Sequence, residues 1–117
     1  MPRLMSVAYT EASVHARVKT VTRRKGWLFL RPGERITLCR KVMGRKPGEP
    51  LVRITDVDVV DVRREPLAAI TDDEVALEGF PGMSRDEFIQ HFFVTAQGIQ
   101  PDDLITRIEW TYVSSPG

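Results

Sequence analysis

The 117-residue sequence predicts an α+β fold: a small, bent, mostly antiparallel β-barrel with about three short helices. Three observations carry that reading. Apolar parity switches twice within residues 51–62: Val52 and Ile54 share one parity, Val57 and Val59 take the other, and Val60 and Val62 switch back. A regular strand cannot change faces twice, so two bulges or sharp bends are implied, as where a sheet curls into a barrel. Next, Thr71-Asp-Asp-Glu74 and Ser84-Arg-Asp-Glu87 are both capping boxes. Each is preceded by an apolar residue placed to staple the helix start, Ile70 onto Val75 and Met83 onto Phe88. Finally, the order of strand, helix, several strands, two helices and strand fits an α+β layout.

Taken in order, residues 4–8 read as a short strand, and Thr10 stands where it would cap a helix from about Glu11 to Arg17. Residues 34–43 carry Ile36, Leu38 and Val42 at even spacing, the period of a strand. The second capped helix presents Phe88, Ile89, Phe92, Phe93 and Ala96 as a core stripe. The last strand sets Leu104, Thr106, Ile108, Trp110 and Tyr112 against Arg107, Glu109 and Thr111 on the other face. Pro-Gly turns at 32–33, 47–48 and 81–82 punctuate the chain. Residues 114–117 read as a frayed end.

The length suits one domain over residues 1–117, and an apolar fraction of 42% with 28% charged residues is ordinary for a globular protein. No apolar run approaches the roughly 18 residues of a membrane span. The N-terminal apolar stretch is too short for a signal peptide, so a cytoplasmic location without a membrane partner is the expectation. The lone Cys39 excludes an internal disulfide and a Cys-based zinc site. His15 and His91 stand far apart, and neither a metal nor a cofactor is expected.

The net charge of +1 conceals a segregation: residues 17–46 hold eleven Lys or Arg and one acid, Glu34, whereas residues 56–109 hold thirteen acids and four Arg. Either the halves neutralise each other across the fold, or a basic surface meets a phosphate-bearing ligand. The densest part is Val18-Lys-Thr-Val-Thr-Arg-Arg-Lys-Gly-Trp27. Arg17, Arg23, Arg24, Lys25 and Trp27 are the candidate ligand-binding residues. Guanidinium forks and threonine hydroxyls suit phosphate oxygens, and an indole can stack on a base. The same cations could instead guard a strand edge, and Trp27 could fill the barrel end.

With these features in this order, the chain resembles the ASCH domain, a branch of the PUA-like superfamily of small β-barrels. The resemblance starts at Lys19-Thr20-Val21-Thr22-Arg23-Arg24. It runs through the segments at 31–38, 52–67 and 78–88 and ends in the closing strand. The family motif has the form Gly-x-Lys-x-x-(Glu or Thr)-x-Arg. Lys19, Thr22 and Arg24 fill its last three named positions, and Arg17 replaces the glycine. The resemblance implies a site for RNA or a modified nucleoside between barrel and helices. It also implies an alternative, since small ASCH proteins with Thr in the motif include amidohydrolases that remove the acetyl group of N4-acetylcytidine. Their catalytic residues fall on Lys19, Thr22 and Glu78. Ribonuclease and protein-adaptor roles are further alternatives for this fold.

The residues are chemically suited to such a reaction. A lysine acts as base or nucleophile once burial or nearby cations lower its pKa. A carboxylate can carry the proton onward. A hydroxyl donated to a developing oxyanion is typically worth about 3 kcal/mol. A Lys19–Glu78 ion pair closing a binding cleft is the non-catalytic alternative. Either way, Lys19 and Glu78 are expected to face one pocket, with Thr22 or Arg24 on its wall.

Overall fold

A computed structural model describes residues 3–113, so the end read at 114–117 lies outside the described residues. Five strands, β1 (Arg3–Ser6), β2 (Val21–Arg24), β3 (Arg35–Cys39), β4 (Arg53–Pro66) and β5 (Leu104–Tyr112), form one sheet in the order β1-β3-β4-β5-β2. Among the described residues only the β1–β3 pairing is parallel. The helices are α1 (Glu11–His15), α2 (Asp72–Leu77) and α3 (Arg85–Ile89), the last running on as a π-helical turn over Gln90–Thr95. Among the described residues no helix is long and apolar enough to cross a membrane.

The long strand β4 curls the sheet into a half-barrel through two irregularities, both at the parity switches. Leu38 pairs with Thr55 but Cys39 with Arg53, leaving Ile54 as the extra residue. Val59 pairs with Trp110 but Asp61 with Glu109, which leaves Val60 unpaired and exposed. An extra residue bends and twists a strand locally, and this closes the sheet on itself.

Two cores result. Inside the curl lie Met5, Ile36, Leu38, Val57, Ile108 and Trp110. Between the sheet's other side and the helices lie Leu67, Ile70, Val75, Phe88, Phe93 and Ile105. β5 serves both, so Ile105, Thr106, Arg107 and Ile108 are all buried and Leu104 is exposed. Leu104 thus departs from the inward set expected for that strand. Both N-caps form: the Thr71 and Ser84 hydroxyls accept from the Glu74 and Glu87 amides at 3.3 and 3.2 Å. Thr10 occupies the N-cap position of α1, but its hydroxyl makes no capping bond.

Two further expectations are corrected. β3 ends at Cys39 rather than at residue 43, before the turn-rich segment around Pro47-Gly48. The π turn, wider than an α turn, lets Phe92 and Phe93 both reach Phe88, with ring centroids 5.4 and 5.5 Å away. It also rotates Ala96 out of the expected stripe into solvent.

Candidate functional site

Two helix ends of the same design bring the key residues together. Helix α1 stops in a Schellman motif: the Arg17 amide donates to Val14 O and the Val18 amide to Ser13 O, both at 2.9 Å. This fold requires a left-handed residue at position 17, and Arg17 has φ 60°. The position is the one where the family motif carries glycine. Helix α2 ends identically: Gly79 donates to Ala76 O and Phe80 to Val75 O, with Gly79 at φ 111°. The two ends abut. Thr20 N donates to Leu77 O at 3.0 Å, and Ser13 Oγ to Gly79 O at 3.1 Å. A Cβ on Gly79 would stand 3.1 Å from Ser13 Oγ and from Thr10 Cγ2.

That junction sets Lys19 against Glu78, each only 3% exposed. Lys19 Nζ donates to the Glu78 carbonyl oxygen at 2.6 Å and lies 3.5 Å from its Oε1. The ammonium therefore sits at the negative end of α2, where a cation is favoured and where Glu78 alone would not be. Trp110 Nε1 and the Tyr112 hydroxyl donate to the Lys19 carbonyl and hold its backbone. Burial is the main cause that lowers the Lys19 pKa, to about 8; Glu78 opposes the drop, while Arg24 and Arg23 add to it.

The next strand supplies the rest. Arg23 Nη1 donates to Glu78 Oε2 at 3.0 Å, and its Nη2 lies 3.1 Å from Glu74 Oε1. Arg24 Nε donates to Thr22 Oγ1 at 3.1 Å, and its Nη2 to Ser6 O at 2.8 Å. Arg24 thus ties the end of β2 to the end of β1, the two edges of the sheet. Since the buried Thr22 oxygen accepts from Arg24, its own proton is free for another acceptor.

Lys19, Thr22, Arg23, Arg24 and Glu78 all line one cavity of about 300 Å³. Its opposite wall is aromatic, built from Phe80, Phe88, Phe92 and Phe93, with Tyr9 at the edge. Phe80 and Phe92 lie 4.6 Å apart between centroids, and Tyr9 meets Phe92 edge-on at 6.1 Å. Tyr9 is 85% exposed. The aromatic wall was half legible in the sequence, where the Phe88–Phe93 stripe reads as core; it is core on one side and cavity on the other. Nothing in the sequence marks Tyr9, because its position depends on the short 3-10 turn at Ala8–Thr10.

Arg17, Lys25 and Trp27 do not line the cavity. The Arg17 guanidinium lies 5.7 Å over the Tyr112 ring. Lys25 is exposed, and Trp27 packs, half-buried, against the barrel core. Of the five cations in the basic run, Lys19 and Arg23 are buried and Arg24 is half-buried. Lys19 and Arg23 find their partners in the acidic half, at Glu65, Glu74 and Glu78. Across this motif the two halves neutralise each other. Among the described residues no group of three or more His, Cys, Asp or Glu is arranged to hold a metal.

No family model and no curated protein matches the chain. Solved structures do. An ASCH domain from Lactobacillus crispatus superposes with a TM-score of 0.60 at 15% identity, over 94% of this chain and 79% of that one. The chain has the ASCH fold. Protein EF3133 from Enterococcus faecalis, of family DUF984, gives a TM-score of 0.66 at 12% identity, over 97% of this chain and 77% of its own. A variant of the ZmASCH protein of Zymomonas mobilis gives 0.56 at 13% identity, over 93% and 66%. At such identities the ASCH fold is what is shared.

Proposed function

We propose that this ASCH-fold protein binds a modified nucleoside, inserting the base into the cavity beneath Tyr9. One observation carries the reading: a buried polar floor of Lys19, Thr22 and Glu78 faces an aromatic wall across about 300 Å³. That volume is at the small end of ligand pockets and suits a planar heteroaromatic ring. The ring would stack on phenylalanine faces and turn an exocyclic polar group toward the floor. An RNA backbone is the less favoured ligand, because Lys19, Arg23 and Arg24 already bond to protein oxygens and are largely withdrawn from solvent.

Calorimetric titration with N4-acetylcytidine at low and high salt tests the reading. A buried nucleoside site predicts saturable binding whose affinity hardly changes with salt. Binding to single-stranded RNA alone, weakening steeply as salt rises, would mark backbone recognition instead.

A second reading, amide hydrolysis at the exocyclic nitrogen, is favoured by the Lys19–Glu78 pair. With its pKa near 8, a sizeable fraction of Lys19 is neutral in mildly alkaline solution. The neutral amine would take a proton from water as the water oxygen attacks the acyl carbon. Thr22 would donate to the resulting oxyanion. Glu78 would relay the proton from Lys19 to the departing nitrogen as the C–N bond breaks, giving a carboxylic acid and the free base amine. Chromatography for cytidine and acetate tests this. Turnover should rise with pH through about 8 and vanish in Lys19→Met. No product from folded protein at high concentration removes that substrate and leaves the binding reading standing.

A further inference from the structure

We infer that Arg23, which lies between the motif positions rather than on them, is the positioning residue of this site. Its guanidinium fork joins the Glu78 carboxylate to a second, outer ion-pair layer. The inference rests on the reading of Lys19 and Glu78 given above as the working pair. Arg23 has a fully buried side chain. One arm of the fork holds Glu78 Oε2 at 3.0 Å, leaving Oε1 toward Lys19 at 3.5 Å. The other arm, Nη2, makes no hydrogen bond and meets Glu74 Oε1 at 3.1 Å and Glu65 Oε2 at 3.7 Å as charge contacts.

Glu74 is itself anchored, since Arg107 Nε donates to the same Oε1 at 2.7 Å. Arg107 Nη1 then reaches Glu109 at 3.1 Å and Asp61 at 3.4 Å. A chain of alternating charges thus runs from the β4–β5 surface to the cavity floor. Its inner end fixes which carboxylate oxygen is left for Lys19.

This arrangement answers a chemical problem. A lone carboxylate beside a buried lysine would swing both oxygens onto the ammonium and hold its proton. Arg23 occupies one oxygen and adds a second positive charge. Lys19 is left with a distant side-chain contact at 3.5 Å and a short one to a neutral carbonyl at 2.6 Å. The charged groups facing Lys19 are Glu78, Arg23 and Arg24, and those facing Arg23 are Glu65, Glu74 and Glu78. A lysine at position 23 could not serve as well, because a compact ammonium cannot spread its charge from Glu78 to Glu74 and Glu65 as the planar guanidinium does.

The test is an NMR titration of protein labelled at the lysine Cε, following the Lys19 resonance, in the parent, Arg23→Gln, Arg23→Lys and Glu74→Gln. In Arg23→Gln the Lys19 midpoint should climb by at least about one pH unit, because a neighbouring cation is gone and Glu78 is free to turn. In Glu74→Gln it should stay or fall, because Arg23 then gives its charge to Glu78 and Glu65. A merely structural role would loosen the site in both variants and raise both midpoints. Should Arg23→Gln fail to fold, Arg23→Lys keeps the test, with a midpoint above the parent's.

Unchanged midpoints in the Arg23 variants, or a rise in Glu74→Gln, would overturn the inference. The readout needs no substrate. A correct pattern of midpoints in a protein that binds and hydrolyses no nucleoside would sink the functional reading and spare the positioning role. Normal turnover with unmoved midpoints would do the reverse.

Discussion

Lys19 is where a single residue carries most of the account. Its pKa falls from 10.5 to about 8, which corresponds to roughly 3 kcal/mol in favour of the neutral amine. Between those values the unfolded chain holds more protons than the folded one, so stability from this group rises with pH across that window. Below about 8 both states are charged and the native state bears the whole penalty. Lys19→Met should therefore melt close to the parent at pH 7, despite losing a buried hydrogen bond. Any advantage of the variant should shrink as pH rises toward 10. Scanning calorimetry over that range checks it, and a variant that melts far lower at pH 7 would make Lys19 a structural residue.

Tyr9 belongs at the same scale. It is 85% exposed, so Tyr9→Ala should leave the melting temperature nearly unchanged. Its ring should matter to a stacked base, where such a contact is worth about 1–3 kcal/mol. Nucleoside affinity is thus expected to fall roughly tenfold or more. Equal affinities by calorimetry would place the base elsewhere.

At the scale of elements, the paired helix ends decide the site. Both need a left-handed residue, but only one is glycine. Arg17→Gly should relieve a strain of up to about 1–2 kcal/mol, partly offset by glycine's greater freedom in the unfolded chain and by loss of the Arg17–Tyr112 contact. Gly79→Ala should lose at least about 1 kcal/mol for the same backbone reason, and more if Ser13 and Thr10 cannot yield at 3.1 Å. Urea midpoints measure both, and opposite signs are the expected outcome. Two changes of the same sign would mean that the turn geometry is not what limits either end.

These elements also show what was readable in advance. The valine parities in residues 51–62 located both bulges, because alternation is a local geometric rule that a bulge must break. The capping boxes marked the starts of α2 and α3, again through local hydrogen bonds. The π turn was not readable, since the packing of both Phe92 and Phe93 on Phe88 that accompanies it is a tertiary contact. The direction of Lys19 was not readable either. It follows from the left-handed turn at Arg17, which a sequence with arginine there does not announce.

For the molecule as a whole, the separation of charge along the chain serves assembly at a few positions: Lys19, Arg23 and Arg35 pair with acids of the second half, whereas Lys25, Arg31, Arg45 and Lys46 stay exposed. Lys19 pairs with Glu78 on the cavity floor, and Arg23 alone faces Glu65, Glu74 and Glu78. Removing one member of such a buried set leaves its partners uncompensated, which is far more damaging than losing an exposed pair. What the resemblance and the residues left open was whether the cations would face outward to a polymer or inward to a small cavity. The fold turns Lys19 and Arg23 inward, and only a three-dimensional arrangement of both halves could reveal that.

The measurement that bears most directly on the central claim is an NMR titration of labelled protein with N4-acetylcytidine, mapped residue by residue. The account predicts saturable shifts concentrated at Lys19, Thr22, Glu78, Tyr9, Phe80 and Phe92, which line the cavity. Shifts gathered instead on the exposed basic positions Lys25, Arg45 and Lys46, or none at millimolar ligand, would contradict it.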